Sequence, residues 1–156
     1  MDEHGVEAKL EILSKIKEGR LSLEELAYQT TLRRLDWLCG NDMGSHYAAL
    51  EPLERAYRII FLEHLRIKQT EHKLIWQPGR LIVRSRNPCP YLVACQELGL
   101  DTRVICRALE GSFGAMTRII DRRLSFSRNY ARIRPYTDFC EEYFELKAPI
   151  SQSKPF

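Results

Sequence analysis

Residues 73–91, KLIWQPGRLIVRSRNPCPY, form the stretch on which the predicted fold depends. Two short runs that favour β-structure flank residues 77–80, where a proline followed by a glycine is typical of a type II turn. This part of the stretch is therefore predicted to be a β-hairpin. It leads directly into residues 87–90 (NPCP), whose two prolines restrict the backbone, and the second proline suits the first position of a helix.

Helical patterns precede the hairpin. Apolar residues at helical spacing predict helices over residues 3–18, 22–40 and 52–65. The second of these has a capping box, in which Ser22 is the N-cap and Glu25 follows three residues later. We therefore expect a helical layer before residue 71.

Helices and strands are both predicted after the hairpin. Helices are expected over residues 90–98 and 101–111, the latter ended by a glycine, and over 113–120. Alternating apolar residues predict a strand over 124–133 and favour a strand over a helix for 140–146. The predicted fold class is α+β, with an N-terminal helical layer packed with a small antiparallel sheet of three to four strands.

The length of the chain indicates one domain. A chain of 156 residues can build a core without disulfides. We predict one domain over residues 1–148, with a helical part at 3–70 and a mixed part at 71–148, followed by a flexible tail at 149–156.

Composition is that of a soluble protein, with 44% hydrophobic and 29% charged residues. The sequence has no apolar run near the roughly 20 residues that span a bilayer, and residues 1–4 (MDEH) lack the apolar core of a signal peptide. Five cysteines, an odd number, favour free thiols. We expect a cytoplasmic protein without a membrane partner.

Arginine is concentrated in one part of the chain. Residues 80–134 contain eleven arginines, four acidic residues and no lysine. Arginine binds carboxylate or phosphate in bidentate fashion, but it also forms buried internal pairs, so both interpretations stay open. Under the first, the candidate ligand-binding residues for a small anionic molecule are Arg103, Arg128, Arg134 and Tyr130.

Cysteine positions suggest a second kind of site. Cys89 is predicted at a helix start, where backbone N–H groups and the helix dipole favour a thiolate nucleophile; the alternative is a small residue packed in a rigid turn. Cys89, Cys106 and Cys140 lie near element ends, where they could converge on a zinc ion or an iron–sulfur cluster. No C-x2-C zinc knuckle is present. Cys39 and Cys95 are expected in the core.

The quoted motifs resemble those of a group of small cysteine-containing α+β domains. The similarity covers residues 73–146 and lies in the hairpin followed by NPCP, in LGLDTRVIC at 98–106, and in FSRNY, RIRP and CEE after residue 125. The group includes proteins like L-2-amino-thiazoline-4-carboxylic acid hydrolase and vinyl-reductase-type ligand-binding domains. The resemblance implies a small-molecule pocket and, for the second type, a cysteine metal site. It supplies no catalytic residue position by position.

Three functions follow as hypotheses. The first is a cytoplasmic domain that binds a small anionic ligand, or a thiophilic metal, at a site lined by cysteines and arginines. The second is a thiol-dependent hydrolase of the thiazoline type with Cys89 as nucleophile. The third is a DNA-binding or protein-interaction module at residues 8–40, although a net charge of +3 and the lack of a basic recognition helix argue against nucleic acid. A homodimer is compatible with each.

Overall fold

Helices occupy the first part of the chain and a four-stranded sheet belongs to the second, in a computed structural model that describes residues 3–147. The α+β class is therefore confirmed, with four strands in the sheet. The predicted tail at 149–156 lies outside the described residues.

The helices follow the predicted order, with one unpredicted π-helical segment. Within residues 3–147, none of them is long and apolar enough to cross a bilayer. Their bounds are α1 Glu3–Lys17, α2 Leu23–Gly40, α3 Met43–His46, α4 Pro52–Tyr57, a π-helix Arg58–His64, a short 3₁₀ turn Gln69–Glu71, α5 Pro90–Leu98 and α6 Thr102–Ile120.

The sheet has strand order β1-β2-β4-β3, and every neighbouring pair is antiparallel. Its strands are β1 His72–Gln77, β2 Arg80–Ser85, β3 Leu124–Asn129 and β4 Cys140–Leu146. The predicted hairpin is confirmed: Gly79 adopts φ 68° in the turn between β1 and β2, a conformation that glycine tolerates best. The preference for a strand at 140–146 is also confirmed.

The two faces of the sheet have different chemistry, because side chains alternate along each strand. One face, which we call the core face, carries Leu81, Val83 and Phe144, all fully buried, against helices α4 and α6. The opposite face, the outer face, carries Arg80 and its cross-strand neighbour Glu145.

A second, smaller core joins the N-terminal helices to α5 and α6. Leu13 of α1 and Leu26 of α2 pack with Tyr91 and Cys95 of α5 and with Ile105 of α6. The N-terminus of α2 has the predicted cap, in which the Glu25 backbone N–H donates to Ser22 Oγ at 3.0 Å.

Two predicted boundaries are wrong. Helix α6 runs without a break through Gly111, because its apolar face, which includes Leu109 and Phe113, is buried on both sides of that glycine. Burial there outweighs the roughly 1 kcal/mol cost of a helical glycine. Strand β3 ends at Asn129 rather than near 133, since the Asn129 side chain accepts from the Ala131 N–H and turns the chain.

The predicted helix at 52–65 changes its winding halfway. Residues 52–57 are α-helical and residues 58–64 form the π-helix, which closes with a hydrogen bond from the Leu65 N–H to the Ile60 carbonyl at 2.9 Å. The segment buries Phe61 and brings His64 to the wall of an internal cavity. Such segments are rare and often lie at functional sites.

Candidate functional site

A cavity of about 390 Å³ lies between α2, the π-helix, α5, α6 and the core face of the sheet. This volume falls in the range of small-molecule sites. The lining residues are Lys9, Thr30, Arg33, Arg34, Phe61, His64, Leu65, Ile67, Ser85, Asn87, Pro88, Cys89, Pro90, Tyr91, Leu92, Thr102, Cys106, Leu109, Phe113, Arg128, Ile133, Arg134, Cys140 and Glu142.

The lining combines apolar walls with an excess of positive charge. Five of these side chains are cationic, and Glu142 is the one carboxylate among the described residues that line the cavity. A cleft with an excess of one sign of charge concentrates ligands of the opposite sign.

Arg34 is the cation with the least compensation. Its side chain is buried, with 9% of the residue exposed, and its Nη1 donates to Ser112 Oγ at 2.5 Å. Its guanidinium carbon lies 3.8 Å from the centre of the Phe113 ring. Within residues 3–147, no carboxylate lies within salt-bridge distance of it.

The electrostatic environment of Arg34 is consistent with a missing anion. Burial lowers its pKa to about 10, and the charges of Arg128 and Arg33 act in the same direction, while Tyr91 and Cys89 act against them. An anion beside this guanidinium would stabilise it, because the electrostatic attraction offsets the hydration that burial removes.

Arg128, in contrast, has its counter-ion inside the cavity wall. Its Nη2 lies 3.3 Å from Glu142 Oε1, and both side chains are less than a tenth exposed. Burial lowers the pKa of Arg128, but Glu142 together with Cys106, Cys140 and Tyr130 more than offsets this, and the pKa is raised. The predicted ligand-binding residue Arg128 therefore does line the cavity, as part of an ion pair.

Arg134 also lines the cavity and is held by neutral partners. Its Nη1 donates to the Asn87 carbonyl at 2.5 Å, and its Nε donates to Cys140 Sγ at 3.3 Å. These bonds tie the turn before α5 to the start of β4. The arrangement explains part of the arginine-rich pattern as internal bonding.

Three buried polar atoms in the cavity wall lack a hydrogen-bond partner in the described part of the chain. They are Tyr91 Oη, His64 Nδ1 and Arg128 Nε. A buried polar group without a partner costs about 1 to 3 kcal/mol. Their convergence on one cavity points to a ligand that supplies the missing partners.

The pKa of His64 reflects both its burial and the positive charge of Arg34. Burial and, to a smaller extent, the positive charge of Arg34 lower its pKa to about 4. Its ring lies 4.5 Å from that of Trp37, which ties it to α2. At neutral pH His64 is therefore uncharged and can donate or accept a hydrogen bond.

Cys89, Cys106 and Cys140, the three predicted metal ligands, all line the cavity. Within residues 3–147, however, no three Cys, His, Asp or Glu side chains are grouped closely enough to hold a metal ion. Burial raises the pKa of Cys106 to about 11, which favours the thiol over the thiolate that metals bind. The geometry therefore lends no support to a zinc ion or an iron–sulfur cluster at these cysteines.

The environment of Cys89 matches part of its prediction. It is the N-cap of α5, with φ −116° and ψ 116°, and its side chain makes no capping hydrogen bond. The position at a helix start is thus as predicted, and its role as a nucleophile stays a prediction.

Arg103 and Tyr130, the two other predicted ligand-binding residues, do not line the cavity. Arg103 is bound to Asp101 at 3.0 Å on the surface, and its guanidinium lies 4.2 Å from the centre of the Tyr136 ring. Tyr130 packs under Arg107, with 4.2 Å between guanidinium carbon and ring centre. Arg103 and Tyr130 thus take part in arginine contacts outside the cavity, and their role in ligand binding stays a prediction.

The two remaining cysteines lie in different environments: Cys95 is buried and Cys39 is exposed. Cys95 is buried as predicted, and burial raises its pKa to about 12. Cys39 is exposed, so the prediction that it belongs to the core is wrong. It lies in the last turn of α2, one turn after the partly buried Leu35, where the helix is exposed to solvent.

Sequence reasoning missed Arg34, Tyr91 and Glu142 as site residues, and it considered His64 only as a possible metal ligand. A signal for Arg34 was present: the buried residues of α2 follow at intervals of four, namely Leu26, Thr30, Arg34 and Leu38. An arginine at an apolar position of an amphipathic helix indicates a buried charge that needs a partner.

Comparison of the chain with protein-family models, with curated proteins and with solved structures found no match. The proposed role therefore depends on the chemistry of the cavity.

Proposed function

We propose that this protein is a cytoplasmic small-molecule-binding domain that holds an anionic organic ligand in the cavity, with Arg34 as the main counter-ion. The observation that carries the proposal is a buried arginine with no carboxylate partner among residues 3–147. Cytoplasmic placement agrees with the five cysteines, which are all free in the described residues.

The partners of two further cavity arginines support this assignment. Arg128 is paired with Glu142, and Arg134 donates hydrogen bonds to Asn87 and Cys140, whereas the buried Arg34 has no carboxylate beside it among residues 3–147. The unpaired guanidinium of Arg34 keeps donors free in a fixed plane, which matches the two oxygens of an acid group.

The test uses 1-anilinonaphthalene-8-sulfonate, an apolar sulfonate whose fluorescence rises in an apolar site. We expect saturable binding to the wild-type protein that weakens at high salt and falls at least tenfold in Arg34→Met. The matched control is Arg103→Met, which removes an exposed arginine outside the cavity and is expected to bind the probe normally.

Equal probe binding by wild type, Arg34→Met and Arg103→Met would refute the proposal. A loss in Arg103→Met alone would restore the site predicted from the sequence. The melting temperature of each variant shows that the comparison is between folded proteins.

A thiol-dependent hydrolase is the second candidate, and one observation favours it. Cys89, the predicted nucleophile, lines the same cavity as His64, which is neutral and can accept a proton. An acidic substrate would enter a cavity of this charge, and L-2-amino-thiazoline-4-carboxylate is such a substrate.

The hydrolase hypothesis is tested by incubating the protein with that thiazoline and following ring opening by mass spectrometry. Turnover that disappears in Cys89→Ser would establish it. Turnover that persists in Cys89→Ser would exclude Cys89 as the nucleophile, and no turnover in the wild type while the sulfonate binds would leave the binding function alone.

A further inference from the structure

We infer that the ligand is an apolar monocarboxylic acid, with its carboxylate on Arg34 and Tyr91 and its hydrocarbon part against the apolar wall. This inference rests on the proposed function and narrows it to one chemical class. Three properties of the cavity support it: the buried charge of Arg34, the unpartnered hydroxyl of Tyr91 among the described residues, and the apolar remainder of the wall.

The charge of the cavity around Arg34 suits a ligand with one negative charge. Arg128 is neutralised by Glu142, and Arg134 is only partly buried and donates to Asn87 and Cys140. Arg34 is therefore the one buried arginine of the lining without a carboxylate partner in the described chain. A phosphate ester or a tricarboxylate at this buried position would bring more negative charge than Arg34 alone can offset.

The shape of the anchor is that of a carboxylate site. Two contacts fix the Arg34 side chain: its Nη1 donates to Ser112 Oγ, and its guanidinium lies over the Phe113 ring. A guanidinium fixed in this way presents its remaining N–H groups in one plane, the arrangement that binds two carboxylate oxygens. Immobilisation in advance also reduces the entropy that binding would cost.

Tyr91 supplies a second donor for the same group. Its hydroxyl is buried, the residue is 8% exposed, and Oη has no partner among residues 3–147. Tyr91 and Arg34 line the same cavity, as does Cys89. A carboxylate has acceptor sites for both Arg34 and Tyr91.

The rest of the ligand must be apolar, because most of the remaining wall is. Phe61, Leu65, Ile67, Leu109 and Ile133 line the cavity and offer no side-chain hydrogen bond. Hydroxyl or amino groups on the ligand would lose their water there without compensation, which costs about 1 to 3 kcal/mol each. A ring or a medium-length alkyl chain fits this wall.

The experiment compares 4-phenylbutanoate and octanoate with two matched compounds, neutral 4-phenylbutanamide and dianionic phenyl phosphate. Trp37, whose ring contacts His64, provides a fluorescence readout in a Trp76→Phe background that removes the exposed tryptophan. Calorimetry supplies the dissociation constants.

We expect the acids to bind at least tenfold more tightly than the amide and the phosphate. Arg34→Met should remove the preference for acid over amide, Arg34→Lys should weaken the acid about tenfold because the fork is lost, and Tyr91→Phe about threefold to tenfold. Arg34→Lys and Tyr91→Phe keep the test decisive if Arg34→Met fails to fold. Arg103→Lys should bind like the wild type.

A position-specific readout is the pKa of His64, followed by NMR. Because Arg34 lowers that pKa, a carboxylate bound on Arg34 should raise it, whereas the amide should not. This shift would not follow from binding elsewhere on the surface.

The possible failures are distinguishable. If the naphthalene sulfonate binds through Arg34 and the carboxylic acids do not, or if phenyl phosphate binds more tightly, the monocarboxylate inference falls and the anion-binding function stands. If acid and amide bind equally to the wild type, or nothing binds, both fall.

Discussion

The two faces of the sheet use arginine and glutamate in opposite ways. On the core face, Arg128 and Glu142 form a pair whose side chains are 9% and 8% exposed. On the outer face, Arg80 and Glu145 form a pair that is 37% and 48% exposed, with 3.9 Å between the closest atoms. The residue types are identical, so the difference lies in access to water.

This comparison shows why counting arginines could not identify the site. An exposed pair contributes little to stability because water already solvates both ions. The buried pair neutralises Arg128 inside the cavity, so that Arg34 is the buried arginine without a carboxylate partner among the described residues. The following predictions test this contrast.

The largest effect is expected for Glu142→Gln. It leaves the Arg128 charge buried without its counter-ion, and loss of one partner of a buried pair costs about 3 to 5 kcal/mol. Urea unfolding measures the free energy. The control Glu145→Gln on the outer face should cost less than about 1 kcal/mol, and equal losses for both variants would contradict the contrast.

The second effect is a difference in alkylation rate between Cys89, which lines the cavity, and Cys95, which is buried in the second core. Because burial raises the pKa of Cys95 to about 12, only about one molecule in 10⁵ carries its thiolate at pH 7. Iodoacetamide should therefore alkylate Cys89 and the exposed Cys39 at least about a hundredfold faster than Cys95, which corresponds to about 2.7 kcal/mol. Peptide mass spectrometry of timed samples gives each rate. A Cys89 rate no faster than that of Cys95 would remove the nucleophile hypothesis.

The third effect is a pH dependence of stability that originates at His64. Its folded-state pKa is about 4, below the ordinary 6.5, so between these values the unfolded chain binds a proton that the folded protein does not. Stability should therefore fall as the pH decreases from about 6.5 towards 4. Because the ring is partly accessible, we expect a contribution of about 1 kcal/mol between pH 7 and pH 5.

The comparison for His64 is the variant His64→Phe, which keeps a ring beside Trp37 and cannot titrate. Urea unfolding at pH 7 and pH 5 should show a smaller loss in this variant than in the wild type. The same pH dependence in both proteins would assign the effect to other groups.

The smallest effect is expected for Arg80→Gln on the outer face. The variant removes an exposed ion pair and part of the contact with the Tyr143 ring, whose centre lies 4.1 Å from the guanidinium carbon. We expect a loss of less than about 1 kcal/mol, which decreases further at 1 M salt. A loss near that of Glu142→Gln would mean that the two faces do not differ.

Local signals predicted most of the fold. Pro78-Gly79 located the hairpin, Ser22 the start of α2 and Gly99 the end of α5, since each requirement is met within a few residues of chain. The prediction that Gly111 ends a helix was wrong because the end of that helix depends on long-range packing rather than on local sequence. A glycine ends a helix only where burial of the flanking apolar residues does not hold the helix together, and that burial is a property of the packed molecule.

The site was predicted only in part, because pairing across distant elements decides which side chains are free. Cys89 and Arg134 were correctly grouped with the cavity, but the sequence contained no indication that Arg134 would bond to Asn87, 47 residues away. Arg34 was overlooked because it lies in a helix that was interpreted as packing. Its significance appears only when its neighbours on α6 are known.

The π-helix at 58–64 makes the cavity sensitive to chain length as well as to composition. Removing one residue from this segment would allow an ordinary α-helix, and everything after the deletion would rotate by about 100° around the helix axis. His64 would then leave the cavity wall even though no site residue had been substituted. Single-residue insertions and deletions here, more than point substitutions, are therefore the changes that would alter which side chains line this cavity.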